Sequence, residues 1–310
     1  MTDQHIGVLG ATSLVGNYLL ELLAEQCLQV SAFSRNSSAQ SLQLQGVEWV
    51  QLDNDSTKAN LENEYPDSPN RISRVRRGGN PCNEINAWIC VAPIWVLPNH
   101  FSLLESYAIK RIVVLSSTSV FIKADSSDPF EKEVALRLSV GEEKLQAWAM
   151  SKGIDWVILR PTLIYGAGKD KNVAEIANFI RRFGFFPLFG AAQGLRQPVH
   201  AQDIATACLA ALQSSNAVNR AYNLSGGETL NYREMVSRIF SSLGLQPRLV
   251  TIPLRFFRLG IAFLRLFPRY RHWTSAMAER MNQDLCFDHS EAARDFGYSP
   301  RIFEPYSYFR

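Results

Sequence analysis

Gly10, Ser13 and Gly16 sit at spacings that suit phosphate chemistry, in the run Ile6-Gly7-Val8-Leu9-Gly10-Ala11-Thr12-Ser13-Leu14-Val15-Gly16. A short apolar strand passes into a small-residue turn, and a helix starts on that turn. Backbone N–H groups and the positive end of a helix dipole then converge on one point, which suits an anion such as a dinucleotide pyrophosphate. Gly10 permits the sharp turn, a small residue at Ser13 lets phosphate approach the backbone, and Gly16 lets the helix pack closely. Thr12, Leu14 and Val15 complete the candidate set. The usual middle glycine of this pattern is replaced by Ser13, and a plain strand-to-helix link is the other reading of the same residues. A side chain at Gly10 is expected to fill the pyrophosphate space while leaving the fold intact.

Those residues need a strand and a helix to hold them. The spacing predicts a first strand over 5–10 and a helix over 14–25, with Leu14, Val15, Tyr18, Leu19, Leu22 and Leu23 on one face. Further strands are predicted at Leu28–Phe33, Val47–Leu52, Ala87–Val91, Arg111–Leu115 and Trp156–Leu159, with a helix over 131–151 before the last. Near-continuous apolar strands alternating with helices indicate a parallel sheet covered on both faces. Residues 54–83 break this rhythm and read as an extended surface loop, polar first and then basic through Arg71, Arg74, Arg76 and Arg77. Beyond Pro161, glycines and prolines punctuate shorter segments, with helices expected at 202–213 and 231–243.

With 46% hydrophobic and 20% charged residues, the chain has the make-up of a globular protein, and its net charge of +3 does not select nucleic acid as a partner. The five cysteines are scattered and odd in number, which suits a reducing compartment and a cytoplasmic location. No Cys/His spacing suggests a metal site. The N-terminus runs straight into a strand, so no signal peptide is expected, and no apolar run approaches membrane-spanning length.

Several further segments occur in an order that resembles the extended short-chain dehydrogenase/reductases, the NAD-dependent epimerase/dehydratase group. After the Gly10–Gly16 turn come Val113-Val114-Leu115-Ser116-Ser117-Thr118-Ser119-Val120-Phe121 and Leu159-Arg160-Pro161-Thr162-Leu163-Ile164-Tyr165-Gly166. Then follow Arg196-Gln197-Pro198-Val199-His200-Ala201-Gln202-Asp203 and Phe287-Asp288-His289-Ser290-Glu291-Ala292-Ala293. The resemblance implies a Rossmann-type, doubly wound α/β sheet with a smaller discontinuous C-terminal lobe over the strands' carboxyl ends. The expected division is 1–165 with 196–226 for the dinucleotide-binding domain, and 166–195 with 227–310 for the substrate lobe.

The resemblance also implies roles. Ser117 matches the serine that hydrogen-bonds the substrate oxygen, Arg196 the arginine that holds a nucleotide sugar's diphosphate, and Asp53 the aspartate that contacts adenine. Arg280 lies one residue off a second phosphate position. The family's tyrosine and lysine are missing: aligned on Gly141-Glu142 they fall on Val134 and Leu138, and a second frame on Val140 and Lys144 recovers only the lysine. The phenol moves the proton and the lysine lowers its pKa. Turnover on ordinary family substrates is therefore expected to be low, and Val134→Tyr with Leu138→Lys is expected to raise it. The pattern is similar to atypical branches such as the dinucleotide-binding accessory subunit of respiratory complex I.

Where a NAD enzyme places an acidic residue after the second strand, this chain has Phe33-Ser34-Arg35-Asn36. Arg35 offers a planar cationic fork to a 2′-phosphate, which favours NADP(H), with NAD(H) as the alternative. His200 reads as a structural residue pinning its loop. The stretch Leu254–Phe267 mixes bulky apolar groups with arginines; packing as a lobe helix is favoured over lying on a membrane surface. The expected function is an oxidoreductase of the epimerase/dehydratase type acting on a nucleotide sugar or similar small molecule. The alternative is a catalytically silent NADP(H)-binding sensor or complex-stabilising module. The sequence does not indicate an oligomeric state.

Overall fold

The structure is a computed structural model that describes residues 5–35, 44–52, 84–126, 128–166, 168, 170, 172–253 and 279–305. Its centre is a parallel sheet of seven strands in the spatial order β3-β2-β1-β4-β5-β6-β11. The strands are β1 (His5–Leu9), β2 (Gln29–Ser34), β3 (Val47–Gln51), β4 (Ala87–Cys90), β5 (Arg111–Leu115), β6 (Asp155–Pro161) and β11 (Arg220–Leu224). Between β6 and β11 the chain makes four short strands, β7 (Ile164–Tyr165), β8 (Phe186–Phe189), β9 (Leu195–Arg196) and β10 (Val199–His200); β12 (Leu230–Asn231) and β13 (Leu249–Ile252) follow. The parallel register runs Ile6 opposite Val30 on one side of β1 and opposite Ala87 on the other.

Strand residues are apolar on both faces because both faces are covered. Alternate residues such as Ile6 and Val8 of β1 enter one core, closed by α1 (Leu14–Glu25) and α6 (Ala201–Gln213). Leu9, Trp88 and Ile112 enter the opposite core, closed by residues 94–104 and α4 (Pro129–Lys152). Between these helices lie α2 (Phe101–Ser106), α3 (Ser119–Ile122), and in the later part α5 (Val173–Phe183), α7 (Tyr232–Ser242) and α8 (Ser290–Phe296). Helix α4 starts two residues before the sequence predicts. Asp128 caps it by accepting the Phe130 N–H at 2.9 Å, and Pro129 occupies the first turn, where its missing N–H costs nothing.

A separate apolar cluster lies outside the sheet layers. It joins α5, α7 and the parallel pair β8–β13 through Ile176, Phe179, Phe186, Met235, Val236 and Phe240. Residues 290–298 fall in the stretch expected to form the lobe, yet Ala292 and Tyr298, with Phe296 packed against them, belong to the first sheet core. The expected loop at 54–83, Asp53, and the basic-apolar stretch 254–267 lie outside the described residues. Among the described residues no helix is long and apolar enough to cross a membrane.

Candidate functional site

The sheet order reverses at β1, with β2 on one side and β4 on the other, so a crevice opens at the carboxyl ends there. The Gly10–Gly16 turn stands on its edge. Gly10 has φ +82°, and the Ser13 N–H closes the turn on the Gly10 carbonyl at 2.9 Å. Ser13 is the N-cap of α1, its hydroxyl accepting the Gly16 N–H at 3.0 Å. A Cβ at Gly16 would lie 2.5 Å from the carbonyl oxygens of Gly10 and Ala11, which is why the helix can start so close to the strand. Thr12 is exposed, Leu14 is half-buried, and Val15 is buried in the core, so Val15 can offer a ligand only its backbone.

One expectation about this turn is corrected. A Cβ at Gly10 would lie 2.4 Å from the backbone nitrogen of Ala92, and the φ there disfavours side chains. A side chain at Gly10 therefore strikes the neighbouring strand exit before it strikes any ligand, and the fold would not survive it unchanged. Arg35 is exposed at the end of β2. Its positive charge, after burial, helps to hold the His100 imidazole below its ordinary pKa. The capped helix start, the turn closed on Gly10 and the exposed cation at the end of β2 fit a dinucleotide, and Gly10–Gly16 with Arg35 would hold it.

Two strands away, β5 delivers Ser116, Ser117 and Thr118 to the same edge. The Ser116 N–H donates to Leu159 O at 2.8 Å, and the Thr118 N–H donates to Pro161 O at 3.1 Å, so the turn hangs from β6. The Ser116 hydroxyl donates to Glu142 Oε1 at 2.5 Å. Glu142 is buried on α4 and is gripped by Arg160 of β6, whose Nε lies 3.0 and 3.2 Å from its two oxygens. The Arg160 guanidinium in turn lies over the Phe121 ring at 5.1 Å. This strut from α4 to β6 fixes the residue between the two anchored ones, Ser117, whose hydroxyl accepts the Ser119 N–H at 3.1 Å.

Ser117 lines a cavity of about 430 Å³ that runs from this edge into the second apolar cluster. A space of that size accepts a small organic ligand. Thr118, Ser119, Ile122 and Lys123 share its wall with Ser117, and Arg196, Tyr232 and Arg280 also line it. Arg196 is buried; desolvation lowers its pKa to about 10. Its Nη1 donates to Leu195 O and Gln283 O at 2.7 Å each, and its Nη2 donates to Arg280 O. The guanidinium also faces the Tyr232 ring at 5.4 Å, and burial pushes the Tyr232 phenol up to about 12. Arg280 forms an ion pair with Glu131, which also accepts the Ser126 hydroxyl at 2.7 Å.

Val134 and Leu138 do not belong to this wall. Leu138 is buried in the core beneath α4 and Val134 packs against the same cluster. Restoring a lysine at 138 would bury an ammonium among apolar side chains, so the expectation that the double substitution raises turnover is withdrawn. Lys144 of the second frame is exposed to solvent. His200 lies outside the cavity wall: it caps α6 by accepting the Gln202 N–H at Nδ1, 3.1 Å away, with the rings of Tyr18 and Tyr165 edge-on at 5.4 and 5.2 Å. Sequence reasoning missed Lys123 and Tyr232. Lys123 had one available signal, its place six residues after Ser117 beyond a single turn of helix; Tyr232 had none.

An open, parallel α/β sheet with a capped, phosphate-type turn at its reversal point defines a fold of the Rossmann class. Residues 98–225 match the model of the NAD dependent epimerase/dehydratase family. The chain is 26% identical over 321 residues to a 2-alkyl-3-oxoalkanoate reductase of Stenotrophomonas maltophilia (strain K279a), covering 95% of this chain and 94% of that one. It is 25% identical over 257 residues to the mitochondrial NADH dehydrogenase [ubiquinone] 1 alpha subcomplex subunit 9 of Arabidopsis thaliana, covering 79% of this chain but only 60% of that protein. The fold is shared with UDP-glucuronic acid 4-epimerase from Bacillus cereus, solved with UDP-glucuronic acid and NAD, at TM-score 0.68 and 16% identity over 99% of each chain.

Proposed function

We propose that this chain is an NAD(P)-dependent oxidoreductase that interconverts a carbonyl group and an alcohol on a small molecule. The observation that carries the reading is Ser117, a hydroxyl held at the carboxyl edge of the sheet and lining a cavity of about 430 Å³. The cofactor would supply the hydride. The turn from Gly10 to Gly16 would hold its pyrophosphate, and Arg35 would select the 2′-phosphate of NADP(H) over NAD(H). Asp53, by its resemblance to the family's adenine contact, is kept as a further binding residue.

Ser117 orients the substrate oxygen by donating its hydroxyl hydrogen, while the hydroxyl oxygen stays fixed by the Ser119 N–H. The Ser116–Glu142–Arg160 strut keeps that geometry from relaxing. The reductase that matches this chain over nearly its whole length supports an active enzyme. A second reading has its own observation: Val134 and Leu138 lie in the core, so the phenol and ammonium that the family uses have no counterpart there. On that reading the chain binds NADP(H) without turning it over.

Quenching of protein fluorescence by NADPH and NADH, followed by absorbance at the nicotinamide band with a panel of ketones and nucleotide sugars, separates the two. Binding with turnover supports the oxidoreductase. Binding without turnover supports the silent module. Absence of binding refutes both.

A further inference from the structure

Two helix–strand units end side by side on one exposed face. Helix α5 leads into β8 through Gly184 and Phe185, and α7 leads into β13 through residues 243–248. Strands β8 and β13 pair in parallel, with Phe186 opposite Leu249, and both helices share the apolar cluster beneath them. Parallel strands begin at the same end, so the two connecting turns are brought together there.

This face holds bulky apolar groups out in water. Phe185 is 37% exposed in the first turn, Leu245 is 42% exposed in the second, and Val250 is 47% exposed in β13. Phe183 is half-buried, its ring 6.4 Å from that of Phe185. Arg181, Arg182 and Arg248 are exposed in the same turns, and the Arg182 guanidinium lies over the Phe183 ring at 5.4 Å. Arginines in the last turn of α5 suit the helix dipole, but the dipole does not call for apolar side chains in solvent beside them. The sequence supplies no local counter-charge. No Asp or Glu occurs between Glu175 and Asp203, and none between Glu234 and Glu279. Past β13 the sequence keeps the same mixture, with Arg255, Arg258, Arg265, Arg269 and Arg271 set among leucines and phenylalanines.

We propose that this face docks the protein on an anionic lipid surface. Phe185, Leu245 and Val250 enter the boundary between headgroups and acyl chains, while Arg181, Arg182 and Arg248 meet the lipid phosphates. Buried apolar area and attraction to anionic headgroups add in such binding, and the face offers both. The planar guanidinium suits phosphate oxygens. A nucleic acid would use the arginines but has no stacking use for Leu245 and Val250. The inference is independent of the oxidoreductase reading, because none of these six residues lines the cavity or belongs to the Gly10–Gly16 turn.

The test sediments the full chain with vesicles of phosphatidylcholine alone, or of phosphatidylcholine mixed with phosphatidylglycerol, at physiological and at high salt. Oligo-dT and polyglutamate, at the same concentration of anionic groups, are the competing polyanions, and thermal unfolding of each variant controls for folding. The wild type is expected to pellet with the phosphatidylglycerol vesicles and not with phosphatidylcholine alone, and its partitioning should fall at least tenfold at high salt. Arg182→Glu combined with Arg248→Glu should weaken partitioning at least tenfold. Phe185→Ser combined with Leu245→Ser should weaken it as much while leaving its salt dependence in place. Failure of the wild type to pellet, or equal pelleting with both vesicles, overturns the proposal. So does unchanged pelleting of either folded double variant, which would move the contact away from this face. Binding of oligo-dT or polyglutamate as tight as that of the vesicles overturns it as well, by showing a general anion surface. If Phe185→Ser with Leu245→Ser does not fold, the variant of the two exposed arginines decides in the same sense.

Discussion

Replacing His200 by Asn should flatten the dependence of stability on pH. His200 is 4% exposed at the start of α6, between two tyrosine rings, and desolvation lowers its pKa from 6.5 to about 4, assisted by Arg301 and opposed by Asp203. In the unfolded chain the imidazole takes a proton near pH 6.5, whereas in the folded chain it stays neutral to about pH 4. The unfolded state therefore binds more protons across this window, and stability falls as pH falls. Above pH 6.5 both states are neutral and the linkage vanishes. A gap of that size corresponds to roughly 3 kcal/mol lost by pH 4, at about 1.4 kcal/mol per pH unit. Asn is also a good N-cap acceptor, so the Gln202 N–H keeps a partner in His200→Asn. The variant should be less stable at pH 7, since it loses the ring contacts with Tyr18 and Tyr165. Between pH 7 and pH 4 it should then lose about 3 kcal/mol less than wild type. Urea unfolding of both chains at half-unit pH steps measures this difference, and effects common to the other titrating groups cancel. Parallel stability curves would refute the claim that His200 is kept neutral by burial.

Three further substitutions test other parts of the molecule. Ser13→Asp keeps a good N-cap on α1 but sets a carboxylate where phosphate should lie, so folding should be preserved and NADPH affinity should fall at least tenfold by fluorescence titration; unchanged affinity would remove the turn from the binding site. Arg35→Asp should weaken NADPH by about 1.5–3 kcal/mol, the worth of a charged hydrogen bond, and leave NADH little changed; equal wild-type affinity for the two cofactors would sink the role given to Arg35. Leu138→Lys should lower unfolding stability by roughly 3 kcal/mol or more in urea, because it buries an unpaired charge under α4, and a variant as stable as wild type would show that the helix face is assigned wrongly.

The sheet and its principal helices were legible because they are the parts of the chain with an unambiguous period. Short continuous apolar runs rich in β-branched residues, such as Ile112-Val113-Val114-Leu115, read as strands buried on both faces, and the 14–25 stretch shows its apolar face at helical spacing. The Gly10–Gly16 turn was legible because its geometry demands small residues. What lay beyond reach depended on contacts between residues far apart in the chain. Nothing local to Gly10 announces that Ala92 passes so close, and nothing local to Leu138 shows that α4 turns that residue to the core. The engagement of Arg280 is set by Glu131, and that of Arg196 by carbonyls near residue 283. Burial and partnership, which decide what a cation can do, are properties of the packed molecule.

Residues 279–285 are stitched to the cavity wall from several sides. The Leu285 N–H meets Leu195 O at 2.9 Å, the Gly194 N–H meets Met281 O at 3.0 Å, and Arg196 reaches the carbonyls of Arg280 and Gln283. Farther on, Asp295 accepts from Arg220 and the Tyr222 hydroxyl at 2.7 and 2.8 Å, which ties the same tail to the last strand of the sheet. The segment is thus a strap whose hold does not pass through the peptide links that precede it. A chain severed between residues 253 and 279 should behave as two complementing fragments, the shorter one finishing the cavity wall of the longer. Assembly of the site and continuity of the backbone would then be separable properties, and the strap could be supplied in trans as a peptide.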